Sequence, residues 1–129
     1  MKNNSFKDGY HLNSSYWQNH KKSIPNLADN LFSILIGCML GDACMYRVSN
    51  DAKVKFEQGY IHKEYLFNLF ELFKLYTFQD NPYNRMDING PRKGLIKSYS
   101  FRTFSHPTFN PLWDLFMSTG KKTIQPGLI

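Results

Sequence analysis

The residue most suggestive of chemistry is Asp42, which directly follows an apolar run from Asn30 to Gly41 (NLFSILIGCMLG). That run reads as a helix with Asn30 as its N-cap and Gly41 as its end. The C-terminal end of a helix carries roughly half a negative charge. A carboxylate is repelled there, so stability alone favours Lys or Arg at position 42. A divalent cation reverses the argument, because Asp42 and the last-turn carbonyls become hard oxygen ligands. The other reading is an exposed Asp in an ordinary turn. Gly37 and Gly41 stand four apart, on one face of this helix. An interior helical glycine costs about 1 kcal/mol relative to Ala, which close approach of another backbone would offset. Other chemistries lack their residues. His11, His20, His62 and His106 show no zinc-ligand spacing with Cys38 or Cys44. There is no Gly-x4-Gly-Lys-Ser/Thr loop and no nucleophilic serine elbow.

The remaining elements must position Asp42. Strand-like runs at Cys44–Ser49 and Lys53–Gln58 flank the turn signal Asn50-Asp51. In the second run Val54 and Phe56 alternate with Lys53, Lys55 and Glu57, which sends apolar side chains inward and charged ones outward. His62 to Tyr76 predicts a core helix, with Tyr65, Leu66, Leu69, Leu72, Phe73 and Tyr76 recurring at three and four. A strand from Tyr83 to Ile88, a turn at residues 89–94 and a strand from Ile96 to Phe104 follow. The last strand places Tyr99, Phe101 and Thr103 on one face and Ser98, Ser100 and Arg102 on the other. Asn110 to Ser118 reads as a third helix, with Asn110 as cap and Pro111 at its first position. Residues 1–29 read as a polar arm, extended or poorly ordered, anchored by Tyr16 and Trp17. Residues 30–126 read as one domain and residues 127–129 as a tail or a truncated linker. The expected class is α+β: a four-stranded antiparallel sheet with helices on one face. The other face carries Lys53, Lys55, Glu57, Ser98, Ser100 and Arg102, a candidate reader of a nucleic-acid groove.

Composition agrees with one globular domain. The 129 residues are 42% hydrophobic and 16% aromatic, which excludes a wholly disordered chain. No apolar run is long enough to cross a membrane, and the polar start shows no secretory signal. Two cysteines are too few for a disulfide framework and read as small buried side chains in a reducing compartment. The net charge is +6, and residues 83–106 alone carry a net +4. Such a basic, aromatic-rich stretch suits phosphate tracking, or it is a solvated face.

Residues Leu35-Ile36-Gly37-Cys38-Met39-Leu40-Gly41-Asp42-Ala43 resemble the motif of the LAGLIDADG homing endonucleases. Leu40 stands where the motif has its first Asp, and Ala43 where Gly is common. Val54 to Gln58 with His62 to Leu66 resemble the family's second strand and helix. Thr103 to Asn110 and Lys121 to Ile124 resemble its later strand, helix and tail. The likeness covers residues 31–126 and leaves out the leader.

The resemblance implies an αββαββα unit that pairs with a second such unit through the Gly37/Gly41 face. The paired sheets would lie in the DNA major groove. It implies Mg²⁺, or Mn²⁺ in its place, bound by Asp42 and the Gly41 carbonyl. Glu57 would organise metal or water, with Gln58 as the alternative. Lys122, ahead of Lys121, would stabilise the phosphoryl transition state. Arg47, Lys53, Lys55, Arg85, Ser98, Ser100 and Arg102 become the candidate DNA contacts. The implied activity is a metal-dependent double-strand cut in intron-target DNA. One motif is present, so the expected partner is a second copy or a separate second half. The same surfaces would also serve a maturase that binds intron RNA, or an inactive nucleic-acid-binding half-domain. Asn, Lys, Phe, Tyr and Ile supply 51 of the 129 residues. Their AT-rich codons suit an organelle gene, mitochondrial or alternatively chloroplast.

Overall fold

The computed structural model describes residues 15–48, 50–91 and 93–117. Among the described residues there are four helices: α1 (Ser15–Ser23), α2 (Asp29–Leu40), α3 (Lys63–Phe73) and α4 (Asn110–Phe116). Four strands are interleaved: β1 (Cys44–Val48), β2 (Asp51–Gly59), β3 (Tyr83–Met86) and β4 (Ile96–Arg102). From α2 onward the order is αββαββα, as expected. The strands form one antiparallel sheet in the order β1-β2-β4-β3.

The alternation in β2 sets the sheet's two faces. Ala52, Val54 and Phe56 are buried, while Lys53, Lys55 and Glu57 are half-buried on the opposite side. Phe56 lies opposite Phe101 of β4, and the two rings stack at 4.5 Å. Phe73 of α3 stacks on Phe56 at 5.5 Å, and Phe70 meets Phe101 edge-on at 5.3 Å. Leu35, Cys38 and Met39 of α2 and Leu112 and Phe116 of α4 complete this apolar layer. Beyond the end of β3, side chains replace a neighbouring strand. Gln79 Oε1 accepts the Arg102 amide at 2.9 Å, and Thr77 Oγ1 donates to the Arg102 carbonyl at 2.7 Å. The β3–β4 connection turns through Gly94, whose φ of +86° suits glycine; its amide donates to the Asp87 carbonyl at 2.9 Å.

Several boundaries differ from expectation. Residues 15–29 are not an extended arm: α1 forms there, and Ile24 and Leu27 join the core. Trp17 is 1% exposed and packs edge-on against Phe78 at 5.0 Å, whereas Tyr16 is exposed. Residues 1–14 and 127–129 lie outside the described residues. α2 starts at Asp29, with Ala28 as a cap that makes no side-chain bond, so Asn30 does not cap it. The core face of α3 is Leu66, Leu69, Phe70 and Phe73, while Tyr65 and Leu72 are exposed. Asn110 is not a cap either. Its Oδ1 accepts from the Ala52 amide at 2.9 Å and its Nδ2 donates to Asp51 Oδ1 at 3.2 Å, tying α4 to the start of β2. A 3-10 turn at Pro107–Phe109 leads into α4 instead.

Trp17 is the one buried side chain of α1. Trp17→Ala is expected to cost about 3 kcal/mol, read as a lower urea midpoint with the far-ultraviolet spectrum of the sheet retained.

Candidate functional site

Asp42 sits one residue beyond the α2 C-cap, Gly41. The Gly41 and Ala43 amides both donate to the Cys38 carbonyl, at 3.0 and 3.1 Å. This doubled bond turns the chain sharply from helix into β1 and leaves the Asp42 carboxylate exposed. Gln58 Nε2 donates to Asp42 Oδ2 at 3.1 Å. A cleft beside this pair is lined by Gly37, Cys38, Gly41, Glu57 and Tyr65. Burial pushes the Cys38 thiol up, against a smaller opposing hydrogen bond from Tyr65, so it stays protonated and is a poor metal ligand. Among the described residues no three His, Cys, Asp or Glu side chains converge. The chain therefore offers one exposed carboxylate with a neutral amide beside it. That donor set fits a hard divalent cation that draws its other oxygens from water and phosphate.

The register confirms which residues share the outer face. Lys55 lies opposite Arg102, Glu57 opposite Ser100, Tyr83 opposite Ser100 and Arg85 opposite Ser98. Glu57 is the hub. It accepts from Ser98 Oγ at 2.7 Å and Arg85 Nη1 at 3.2 Å, and Lys55 Nζ approaches at 3.5 Å. Partial burial pushes the Glu57 carboxyl up, but the Ser98 bond and the Lys55 and Arg85 charges together outweigh it and hold it below the usual range. Glu57 lines the cleft, yet Gln58 is the residue that touches Asp42. Lys53 differs from Glu57: burial lowers the pKa of its ammonium, and the nearby Arg102 lowers it further.

Other assignments move. Arg47 lies opposite Ala52, so it shares the helix-covered face, not the outer one. Its guanidinium stacks over Trp113 of α4 at 5.3 Å. Ser98 is on the outer face but only 5% exposed, and its hydroxyl is committed to Glu57. It holds the carboxylate in place and is not free to meet a base. Lys55, Arg85, Ser100 and Arg102 keep their outward placement. Lys121 and Lys122 lie outside the described residues. Two outer-face tyrosines were missed: Tyr46, opposite Lys53, and Tyr83. Counting by twos from the Tyr46–Lys53 pair would have found the first.

Glu57 makes stability depend on pH. Its folded pKa is lowered, so its contribution is complete above the ordinary value near 4.5 and is lost as pH falls through the folded value. Urea titrations from pH 7 to pH 3 should show a shallower acid limb for Glu57→Gln than for the native chain. Identical limbs would show that the Ser98–Arg85–Lys55 network adds nothing to the fold.

Comparison with known proteins agrees with this architecture. The model of the LAGLIDADG DNA endonuclease family matches residues 32–129. "Probable intron-encoded DNA endonuclease 3" of Mycosarcoma maydis is 52% identical over 40 residues, covering 28% of this chain and 29% of that protein. The solved structure of the homing endonuclease I-WcaI bound to its DNA recognition sequence superposes with a TM-score of 0.78 at 27% identity. That match covers 94% of this chain and 53% of the other, so the chain spans about half of the solved relative. On the extent of the family match, supported by the structural superposition, the chain belongs to the LAGLIDADG DNA endonuclease family.

Proposed function

We propose that this chain is one catalytic half of a site-specific endonuclease that cuts intron-target DNA, with Mg²⁺ or Mn²⁺ held by Asp42. The observation that carries the reading is an exposed carboxylate at the negative end of α2, held by the Gln58 amide beside a sheet whose outer face is cationic. When bound, the cation would polarise water and stabilise the leaving oxygen. Gln58 fixes the direction of the Asp42 carboxylate and takes the organising place first given to Glu57. Lys53, Lys55 and Arg102 attract the DNA backbone and base edges. Lys122 would add positive charge at the phosphate. The intron-encoded relative and the AT-rich residue usage support an organelle gene, mitochondrial or chloroplast.

A second unit is part of the proposal. Gly37 is exposed, and a Cβ there would meet no atom within 4 Å. Nothing in the described residues demands glycine at that place in the helix. Packing against another motif helix, from a second copy or a separate half, supplies the demand. Gly37→Ala should stabilise the lone chain by about 0.5–1 kcal/mol. Gly37→Leu should suppress cleavage by blocking close approach, and full cleavage by that variant would refute the packed interface.

The decisive assay uses Mg²⁺ and DNA spanning the uninterrupted insertion site. Asp42→Asn should lower cleavage by at least about a hundredfold while binding is retained. Binding of intron RNA with splicing rescue untouched by Asp42→Asn, and no DNA cleavage by the native chain, would replace this reading with a maturase.

A further inference from the structure

The family model begins at residue 32, after α1, although the superposition on the solved relative covers 94% of this chain. The last turn of α1 holds His20, Lys21 and Lys22. The helix dipole favours cations there, but it does not explain where the turn is docked. Trp17 wedges against Phe78, which packs on Phe104 at 5.2 Å. Downstream, the Leu27 amide donates to Thr108 Oγ1 at 2.8 Å and Tyr76 donates to the Pro25 carbonyl at 3.0 Å. Lys21 Nζ donates to Ser105 Oγ at 3.0 Å and lies over the Phe104 ring at 5.8 Å. There its ammonium feels the charges of Asp51 and Lys53. The basic turn is thus pinned, from both sides, at the end of the sheet where β2 begins and β4 ends. It extends the cationic outer face marked by Lys53 and Arg102, with Lys22 exposed beside the pinned Lys21.

We propose that α1 is a docked clasp for duplex DNA, with Lys22 and His20 contacting backbone phosphates that flank the stretch faced by the sheet, and Lys21 acting as the pin. This rests on the DNA-binding reading above. The geometry also gives the offset. Lys53 and Gln58 are five residues apart on β2, about 17 Å along the strand. The clasp therefore sits at the other end of β2 from the Gln58–Asp42 pair. Contacts of this kind are indifferent to sequence and release counterions.

The probe is a labelled 30-base-pair duplex of mixed sequence, titrated with the full chain over a range of salt concentrations. Lys22→Ala should reduce the slope of log affinity against log salt by about 0.9, the value of one phosphate contact. Paired His20→Gln and Lys22→Ala should weaken binding further than Lys22→Ala alone. Arg102→Ala serves as the sheet-face control, and thermal melting confirms that each variant folds. A native slope in Lys22→Ala, with a reduced slope in Arg102→Ala, overturns the clasp and leaves the DNA reading standing. Failure of the native chain to bind the duplex overturns both.

Discussion

The register of β2 against β4 is the constraint on which the rest depends. Phe56 stands opposite Phe101, and the stack between them is sandwiched under α3. A slip of one residue would drive Lys53, Lys55 and Glu57 into that aromatic layer and expose Val54 and Phe56. No rearrangement of surface charge could offset such an exchange. With the register locked, Gln58 is the inward-facing residue after Phe56, and it lies just past the edge of the core. It therefore reaches Asp42 at the end of α2 instead of packing. Glu57 is forced outward, where Ser98 and Arg85 meet it from β4 and β3. The two neighbours divide because successive side chains in a strand point to opposite faces.

The same physics decides what could be read from the sequence. Lys53 to Gln58 and Ile96 to Arg102 alternate cleanly, so their faces and the α+β class followed directly. Asp42 was visible because its sign is wrong for its place. β1 is different: CMYRV has no simple alternation, and the side taken by Arg47 is set by its pairing with Ala52, a long-range fact. In α3 apolar residues occupy several faces, so periodicity could not choose Phe70 over Tyr65 and Leu72. Only the position of Phe101 makes the choice. α1 has one buried anchor and no apolar stripe. Its existence depends on Phe78, some sixty residues away in sequence, and no local pattern could announce it. The Asn110 side chain likewise looked like a cap because caps are common, but the Ala52 amide is a stronger claimant in the folded chain.

Three placements cost the isolated chain something. Asp42 sits at the end of α2 that repels it. Lys53 is partly desolvated beside Arg102, so like charges are crowded on one face. Gly37 weakens an exposed helix position with no steric reason inside the described residues. Sequences that specify a fold through consistent local choices depart from consistency mainly where function intervenes. These three departures differ in kind: an anion where an anion is unwelcome, a cation beside a cation, and a missing side chain. A separate explanation for each would need three unrelated accidents. In the proposed function, a cation at Asp42, a polyanion across the outer face and a second helix against Gly37 would remove all three penalties together. They would do so in mutually compatible places, because the α2 C-terminus is where the sheet's edge, the helix face and the carboxylate meet. On that proposed reading, the local faults of this fold are complementary to the partners it would take.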